Sequence, residues 1–266
     1  RHIVASLIDA ARGFDDEPGV YLTDGRVVPA PEAEAAWRLA AAANWHALAR
    51  LAASVAGDHR SLLLDIGSTT TDIVPLDRGR VAATACDDAG RMLAGELVYT
   101  GVERTAVASL VRRLPHRGRQ RPVASELFAE SRDAWLTLGC LSEAPASTST
   151  ADGGPATVEA ARIRLARTML LDPADFTAAD ATAAAEAIAT RQAGLIARAL
   201  RRVAGNSGHL PETVVLTGHG DQLAFRALAA AGWPVGLLRL ADAVGPAAAR
   251  NAPAVALAGI VRGTIP

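Results

Sequence analysis

The chain contains no lysine; all 27 of its basic residues are arginine, against 28 acidic ones. A Schiff-base lysine and a phosphate-binding lysine are therefore excluded within these 266 residues. The formal net charge of −1 leaves no global field that would draw nucleic acid or an anionic membrane surface. Cysteine is nearly absent. Cys86 and Cys140 have no second cysteine or histidine at metal-ligand spacing, so zinc is not indicated and both read as idle thiols of a reducing cytosol. Apolar runs are short and interrupted, which excludes a bilayer-spanning helix, and no signal peptide is visible. The expected location is the cytoplasm. Half of the residues are nonetheless hydrophobic, enough for one large core or two modest ones.

The most informative stretch is Leu62-Leu-Leu-Asp-Ile-Gly-Ser-Thr-Thr-Thr-Asp-Ile-Val-Pro-Leu76. An apolar run reads as a buried strand that delivers Asp65 to its end. Gly67 lets the backbone turn or come close to a ligand. Ser68, Thr69, Thr70 and Thr71 supply hydroxyl and N–H donors, Asp72 follows, and Ile73 starts a returning strand. Donors of this kind cradle phosphate oxygens, and acids hold a hard cation directly or through water. A magnesium–phosphate site with Asp65 and Asp72 as metal residues is the expectation; the plain alternative is a hairpin whose turn is rich in hydroxyls.

Asp65-Ile-Gly-Ser-Thr-Thr-Thr-Asp72 resembles the phosphate hairpin of the actin, sugar-kinase and heat-shock ATPase superfamily, in particular its hydantoinase/oxoprolinase-like branch. Further segments narrow the resemblance: Ala42 to Ala49, Gly95-Glu-Leu-Val-Tyr-Thr-Gly101 with Arg104 and Thr105, Pro122 to Phe128, Thr150 to Gly153, and Val215-Leu-Thr-Gly-His-Gly220. Together they look like the tetrahydromethanopterin-linked C1-transfer proteins, which are similar to the archaeal methanofuran-biosynthesis synthase. The resemblance implies an α/β fold: a ribonuclease-H-like (actin-like ATPase) lobe over 61–266 with a mostly helical insertion at about 90–210. Residues 1–60 would be the remainder of an N-terminal lobe and a linking helix. The superfamily carries an earlier Asp-x-Gly hairpin that none of the residues before Asp65 matches, and the chain begins with Arg1. It therefore reads as the C-terminal part of a longer protein.

Along the chain, helices are expected over 1–12, 35–55, 102–113, 123–138, 156–170, 178–203, 222–231 and 247–262. Short strands are expected at Val20 to Leu22 and Val27-Val28, a third meander strand over Val81 to Cys86, and further strands over 213–217 and 235–239. The stretches 112–121, dense in arginine, and 142–155 read as loops.

Other residues carry chemistry. Thr217, Gly218, His219 and Gly220 form a strand-to-helix turn suited to phosphate. Glu96, Tyr99, Thr100 and Arg104 cluster after the third strand. Glu96 reads either as a base for a phenol held near Tyr99, Thr100 and Arg104, or as half of a buried ion pair with Arg104. The arginine run at 112–121 lacks stacking aromatics, which argues against nucleic acid. The function implied is a transferase that condenses an aminomethylfuran diphosphate with a tyramine-type phenol and releases diphosphate. Asp65, Asp72 and Glu96 would be catalytic, with Mg2+ as cofactor. The alternatives are an ATP-hydrolysing enzyme of hydantoinase/oxoprolinase type and a non-catalytic phosphate-binding scaffold. The expected partner is a small phosphorylated substrate, with no nucleic acid and no membrane; self-association is left open.

Overall fold

Alternating apolar side chains over residues 62–76 place the centre of the molecule. The computed structural model describes residues 1–265. At the N-terminus, α1 (His2–Ala11), the ribbon β1 (Gly19–Tyr21) and β2 (Val27–Pro29), and the short helices α2 (Ala30–Ala35) and α3 (Trp37–Ala40) enclose a small core of Val4, Ile8, Leu22, Val28 and Ala33. The single helix expected over 35–55 is broken. Ala42 has φ 56°, a left-handed conformation that no helix continues through, and α4 (Asn44–Ala56) starts afresh beyond it.

The hairpin follows as β3 (Arg60–Ile66) and β4 (Thr71–Asp77). The third strand expected over 81–86 shrinks to β5 (Arg80–Val81). After α5 (Asp88–Ala94), β6 (Leu97–Val98) pairs with the other end of β4, at Thr71 and Asp72. Residues 107–188 contribute α6 (Val107–Leu110), β7 (Arg113–His116), β8 (Arg119–Pro122), α7 (Ser131–Thr137), α8 (Val158–Thr168) and the start of α9 (Ala178–Ser207). Val107, Leu114, Leu165, Phe176 and Ile188 are the heart of this part. Two of its elements differ from expectation. The arginine-rich stretch is a hairpin turning at Arg117 (φ 47°) and Gly118 (φ 73°), the paired positive φ values of a tight hairpin turn. The helices expected at 102–113 and 123–138 shorten to α6 and α7: Thr105 and Ser131 tie the chain to Gly101, and the N–H groups of Val123 and Ala124 donate to Arg112 O and Thr168 O instead of to a helix.

The 30-residue α9 is about 45 Å long. A reciprocal Thr177/Asp180 capping box starts it. It then serves two cores in turn: Ala181 and Ile188 in the one just described, Ile196 and Leu200 against the sheet. The chain closes with β9 (Thr213–Gly218), α10 (Asp221–Ala231), β10 (Gly236–Arg239), α11 (Leu240–Val244), α12 (Pro246–Arg250) and α13 (Ala252–Val261). The helix expected over 247–262 is thus two helices that divide at Asn251, just before Pro253.

The result is a mixed α/β fold with a central mixed sheet. Its order is β10-β9-β3-β4-β5, parallel across β10, β9 and β3 and antiparallel from β3 to β5. Successive side chains of a strand face opposite ways. Leu62, Leu64, Ile66, Ile73, Val214 and Leu216 pack with α9 and α10, and Leu63, Val74, Leu76 and Val215 pack with α4 and α13. By the same alternation Asp65, Asp72 and Thr217 point toward the α4 side, at the end of the sheet where β3 and β9 finish. Among the described residues no helix is long and apolar enough to cross a membrane.

Candidate functional site

Register brings the two carboxylates together. Asp65 is directly opposite Asp72 on β4 and beside Thr217 on β9. Like charges directly opposite one another oppose pairing, so this end of the hairpin needs compensation, and each acid finds a different kind. Asp72 accepts a hydrogen bond at 2.7 Å from Arg91, a side chain only 1% exposed. The Arg91 guanidinium in turn lies 3.9 Å over the Trp45 ring. Burial raises the Asp72 pKa, and Arg91 pulls it back down. Asp65 has no such partner: none of the described residues donates a hydrogen bond to it. Burial first and the charge of Asp72 second push its pKa up to about 7.

The structure therefore separates two acids that were expected to share a cation. Asp72 already has its positive charge in Arg91; Asp65 has an open carboxylate at the strand end. Among the described residues no three acids, histidines or cysteines form a metal cage. The arrangement fits magnesium nevertheless, because that ion commonly takes one or two carboxylates, keeps several waters and completes its shell with substrate phosphates. Arg91→Ala is expected to cost about 3–5 kcal/mol, since it leaves Asp72 buried and uncompensated. Denaturant unfolding checks this, and a loss below ~1 kcal/mol contradicts the pairing.

The turn between the strands is held from behind. The Gly67 and Ser68 carbonyls accept hydrogen bonds from the N–H groups of Val102, Glu103 and Arg104, and Gly67 N–H donates to Thr70 O. The backbone N–H groups of Ser68, Thr69 and Thr70 donate to no acceptor among the described residues. Carbonyls engaged behind and free N–H groups in front make an anion-binding concavity. Gly67 is not what the turn geometry demands, since a Cβ there would meet only Thr70 O at 3.5 Å. The required glycine is Gly101, where a Cβ would come within 2.5–2.6 Å of Gly67 O, Ser68 C and Thr69 N.

Gly101 is fixed by a buried polar network. Gln192 donates to Gly101 O and Thr100 Oγ1, and accepts from Trp135 Nε1. Ser131 Oγ donates to Gly101 O, and Thr105 Oγ1 accepts from Gly101 N–H. Thr71 and Thr100 are part of this support, not of the anion face: both are buried, and Thr71 Oγ1 donates to Thr100 O.

The remaining expected residues divide. Arg104 donates to Ser68 Oγ at 2.9 Å and puts positive charge on the rim. Tyr99 is exposed, and its hydroxyl makes no hydrogen bond among the described residues. Glu96 corrects both earlier readings. It is 2% exposed, and its Oε1 accepts from Thr84 N–H and Thr84 Oγ1. It is neither an open base beside Tyr99 nor paired with Arg104. Gly218 and His219 cross the end of β3: Gly218 has φ 84°, a Cβ there would be 2.2 Å from Ile66 O, and His219 N–H donates to that carbonyl. The His219 ring points Nε2 at Glu103 Oε1, 3.0 Å away, and Arg132 holds the other Glu103 oxygen. An apolar cavity of about 400 Å³ between α1, α4 and α13 shares no lining residue with the turn.

Sequence reasoning alone missed Arg91, Gln192, Trp135 and Glu103. The Glu103 backbone lies in a motif singled out for its neighbours, but nothing local marked its side chain as the partner of His219.

Known proteins bear on this geometry. The sequence model of the hydantoinase/oxoprolinase family matches residues 10–262. The "(4-{4-[2-(gamma-L-glutamylamino)ethyl]phenoxymethyl}furan-2-yl)methanamine synthase" of Methanocaldococcus jannaschii is 32% identical over 170 residues, 64% of this chain and 51% of its own length. The synthase of the same name from Methanococcus vannielii is 30% identical over 166 residues, 62% of this chain and 73% of its own. The chain thus spans about half the length of the first of these relatives. The nucleotide-free structure of acetone carboxylase, from work on ATP-dependent acetone carboxylation, superposes with a TM-score of 0.54 at 15% identity, over 82% of this chain and 32% of that one. That likeness concerns the fold alone. The family match covers nearly the whole chain, and the chain belongs to the hydantoinase/oxoprolinase family.

Proposed function

We propose that this chain carries the diphosphate-binding machinery of an ether-forming transferase in methanofuran-type cofactor biosynthesis. The central sheet and its Gly-His-Gly turn are read as a ribonuclease-H-like lobe working in the cytoplasm. The name of the two relatives describes a furan-2-yl methanamine joined through a phenoxymethyl ether to a γ-glutamylaminoethyl group. Making that ether from a furfuryl diphosphate and a phenol requires a site that stabilises departing diphosphate. The observation that carries the reading is the row of free N–H groups at Ser68, Thr69 and Thr70, with their hydroxyls and the open Asp65 carboxylate beside them.

In this reading the turn N–H groups and Arg104 bind the diphosphate oxygens, and Asp65 is the residue that would hold magnesium. The ion, when bound, neutralises charge on the leaving group. His219, oriented through Nε2 by Glu103, accepts the phenol proton in place of Glu96; an imidazole fixed by a carboxylate is a common proton acceptor. The phenol oxygen bonds to the furfuryl carbon as the carbon–oxygen bond to diphosphate breaks, its electron pair leaving with the diphosphate. The phenol proton passes to His219 Nδ1.

The test is incubation of the protein with aminomethylfuran diphosphate, γ-glutamyltyramine and magnesium, with ether and diphosphate followed by mass spectrometry. Equimolar ether and diphosphate are expected. Ser68→Ala and His219→Ala should each lower the rate by about 10²-fold or more. Diphosphate formed without ether, or turnover that requires ATP, would contradict the reading.

A further inference from the structure

Two cavities flank the turn at 217–220, and they differ in what they can hold. One, lined in part by Val102, Trp135, Cys140 and Leu141, has a volume of about 60 Å³, room for a water or two. The other measures about 300 Å³ and is bordered by Thr217, Gly218, His219, Asp221, Arg239 and Arg250, at the small end of ligand pockets. It opens at the C-terminal ends of the parallel strands β9 and β10, where open α/β sheets bind ligands. Its inner wall, Thr217 and Gly218, is in register with Asp65 and Ile66 on β3. A molecule reaching from Asp65 toward β10 passes directly into it.

The charges of this cavity are specific. Arg239, at the end of β10, is fixed between Asp221 and the Phe225 ring, 5.5 Å from the ring centroid. Arg250, the last residue of α12, makes no hydrogen bond or ion pair among the described residues. One committed guanidinium, one free guanidinium and one carboxylate line the same 300 Å³. A phosphate would be served by the two arginines but repelled by Asp221. A zwitterion uses all three groups: a carboxylate accepts the planar fork of an arginine, and an ammonium donates to the aspartate.

We propose that this cavity binds the α-amino-acid end of the acceptor, its carboxylate on Arg250 beside Arg239 and its ammonium on Asp221. The proposal rests on the reading that the donor diphosphate occupies the turn at 68–70. It adds that the acceptor enters from the β10 side and is selected by its zwitterionic end. Arg250 is then a binding residue remote from the reacting atoms.

The test is calorimetric or NMR titration of the full chain with γ-L-glutamylethylamide. Two truncated compounds serve as probes, 4-aminobutanoyl ethylamide without the carboxylate and glutaryl ethylamide without the ammonium. Saturable binding of the intact compound is expected, with each truncation weakening it by about tenfold or more. Arg250→Gln should weaken the intact compound by a similar factor and abolish its advantage over 4-aminobutanoyl ethylamide. Ser68→Ala should leave this binding unchanged, and Arg250→Gln should leave magnesium-diphosphate binding unchanged. Equal binding of intact and truncated compounds, no saturable binding, or indifference to Arg250→Gln would each overturn the proposal. Loss of diphosphate binding alone, with Arg250-dependent binding of the amino-acid compound retained, counts against the reading of the turn and not against this cavity.

Discussion

Gly101→Ala is expected to weaken magnesium-diphosphate binding sharply and to lower stability by about 3 kcal/mol or more. A Cβ at this position would lie 2.5 Å from Gly67 O and 2.6 Å from both Ser68 C and Thr69 N. All three are backbone atoms, so no side chain can swing aside to make room. Either the 100–105 loop retreats, and the Val102, Glu103 and Arg104 N–H groups lose the Gly67 and Ser68 carbonyls, or the turn itself is displaced. In both cases the N–H groups of Ser68, Thr69 and Thr70 lose their common direction. Affinity should fall about a hundredfold, the equivalent of ~2.7 kcal/mol. Gly194→Ala is the contrast. Gly194 lies inside α9, its added Cβ would meet nothing within 4 Å, and helix propensity favours alanine there by about 0.5–1 kcal/mol. The first substitution should destabilise and the second stabilise in the same urea titration. A Gly101→Ala protein with unchanged midpoint and affinity would show that the loop does not hold the turn.

The second large effect is pH-dependent. Burial, and then the charge of Asp72, let Asp65 keep its proton up to about pH 7 in the folded chain, well above the ordinary carboxylate value of 3.8. Because the folded state binds the proton more tightly than the unfolded one, this group favours folding below about pH 4, and that contribution disappears as pH rises through about 7. The loss has a limiting slope of about 1.4 kcal/mol per pH unit, reduced by whatever water reaches this half-buried carboxylate. Asparagine cannot ionise. Asp65→Asn should therefore match the parent near pH 4 and gain steadily between pH 4 and 7. By pH 8 it should melt higher by about 5 °C or more. Melting curves across that range check it. A difference that does not vary with pH, or a variant less stable at pH 8, would contradict the burial of an ionisable Asp65 opposite Asp72.

The hairpin itself was legible because its information is local. Apolar runs, a glycine, consecutive hydroxyls and two acids occupy fifteen adjacent positions, and β3, the turn and β4 follow from them. The long α9 was legible for the same reason: alanine-rich periodicity sustained over many turns, opened by Thr177 and Asp180. The strand–helix–strand run from Thr213 to Arg239 also read correctly. Failures fell where a partner lies far away in sequence. Val81 to Cys86 has strand-like composition, but β4 spends its other end on β6, which arrives only after α5. The hairpin at 113–122 was hidden by four arginines and Pro115, although Gly118 supplies a residue that tolerates the positive φ of such a turn.

The same division holds at the site. That the turn presents a row of hydroxyls and N–H groups could be read locally; what holds the turn could not. Gln192 meets Thr100 across 92 residues, and Trp135 meets Gln192 across 57. Asp72 looked like a metal residue because nothing near it in sequence announces that Arg91, stacked on Trp45, already neutralises it. Glu96 looked available because Thr84, which encloses it, belongs to an irregular stretch with no pattern of its own.

The turn at 68–70 and Asp65 are proposed to form one diphosphate site. Calorimetric titration with magnesium-diphosphate at pH 6, in buffers of different ionisation enthalpy, tests that most directly. At this pH Asp65 is largely protonated, its pKa being about 7, so a cation that binds there must displace a proton. The prediction is saturable, magnesium-dependent binding with proton release, and an affinity at least about tenfold weaker with no release in Asp65→Asn. Absence of binding, or binding with the same affinity and proton balance in both proteins, would contradict it.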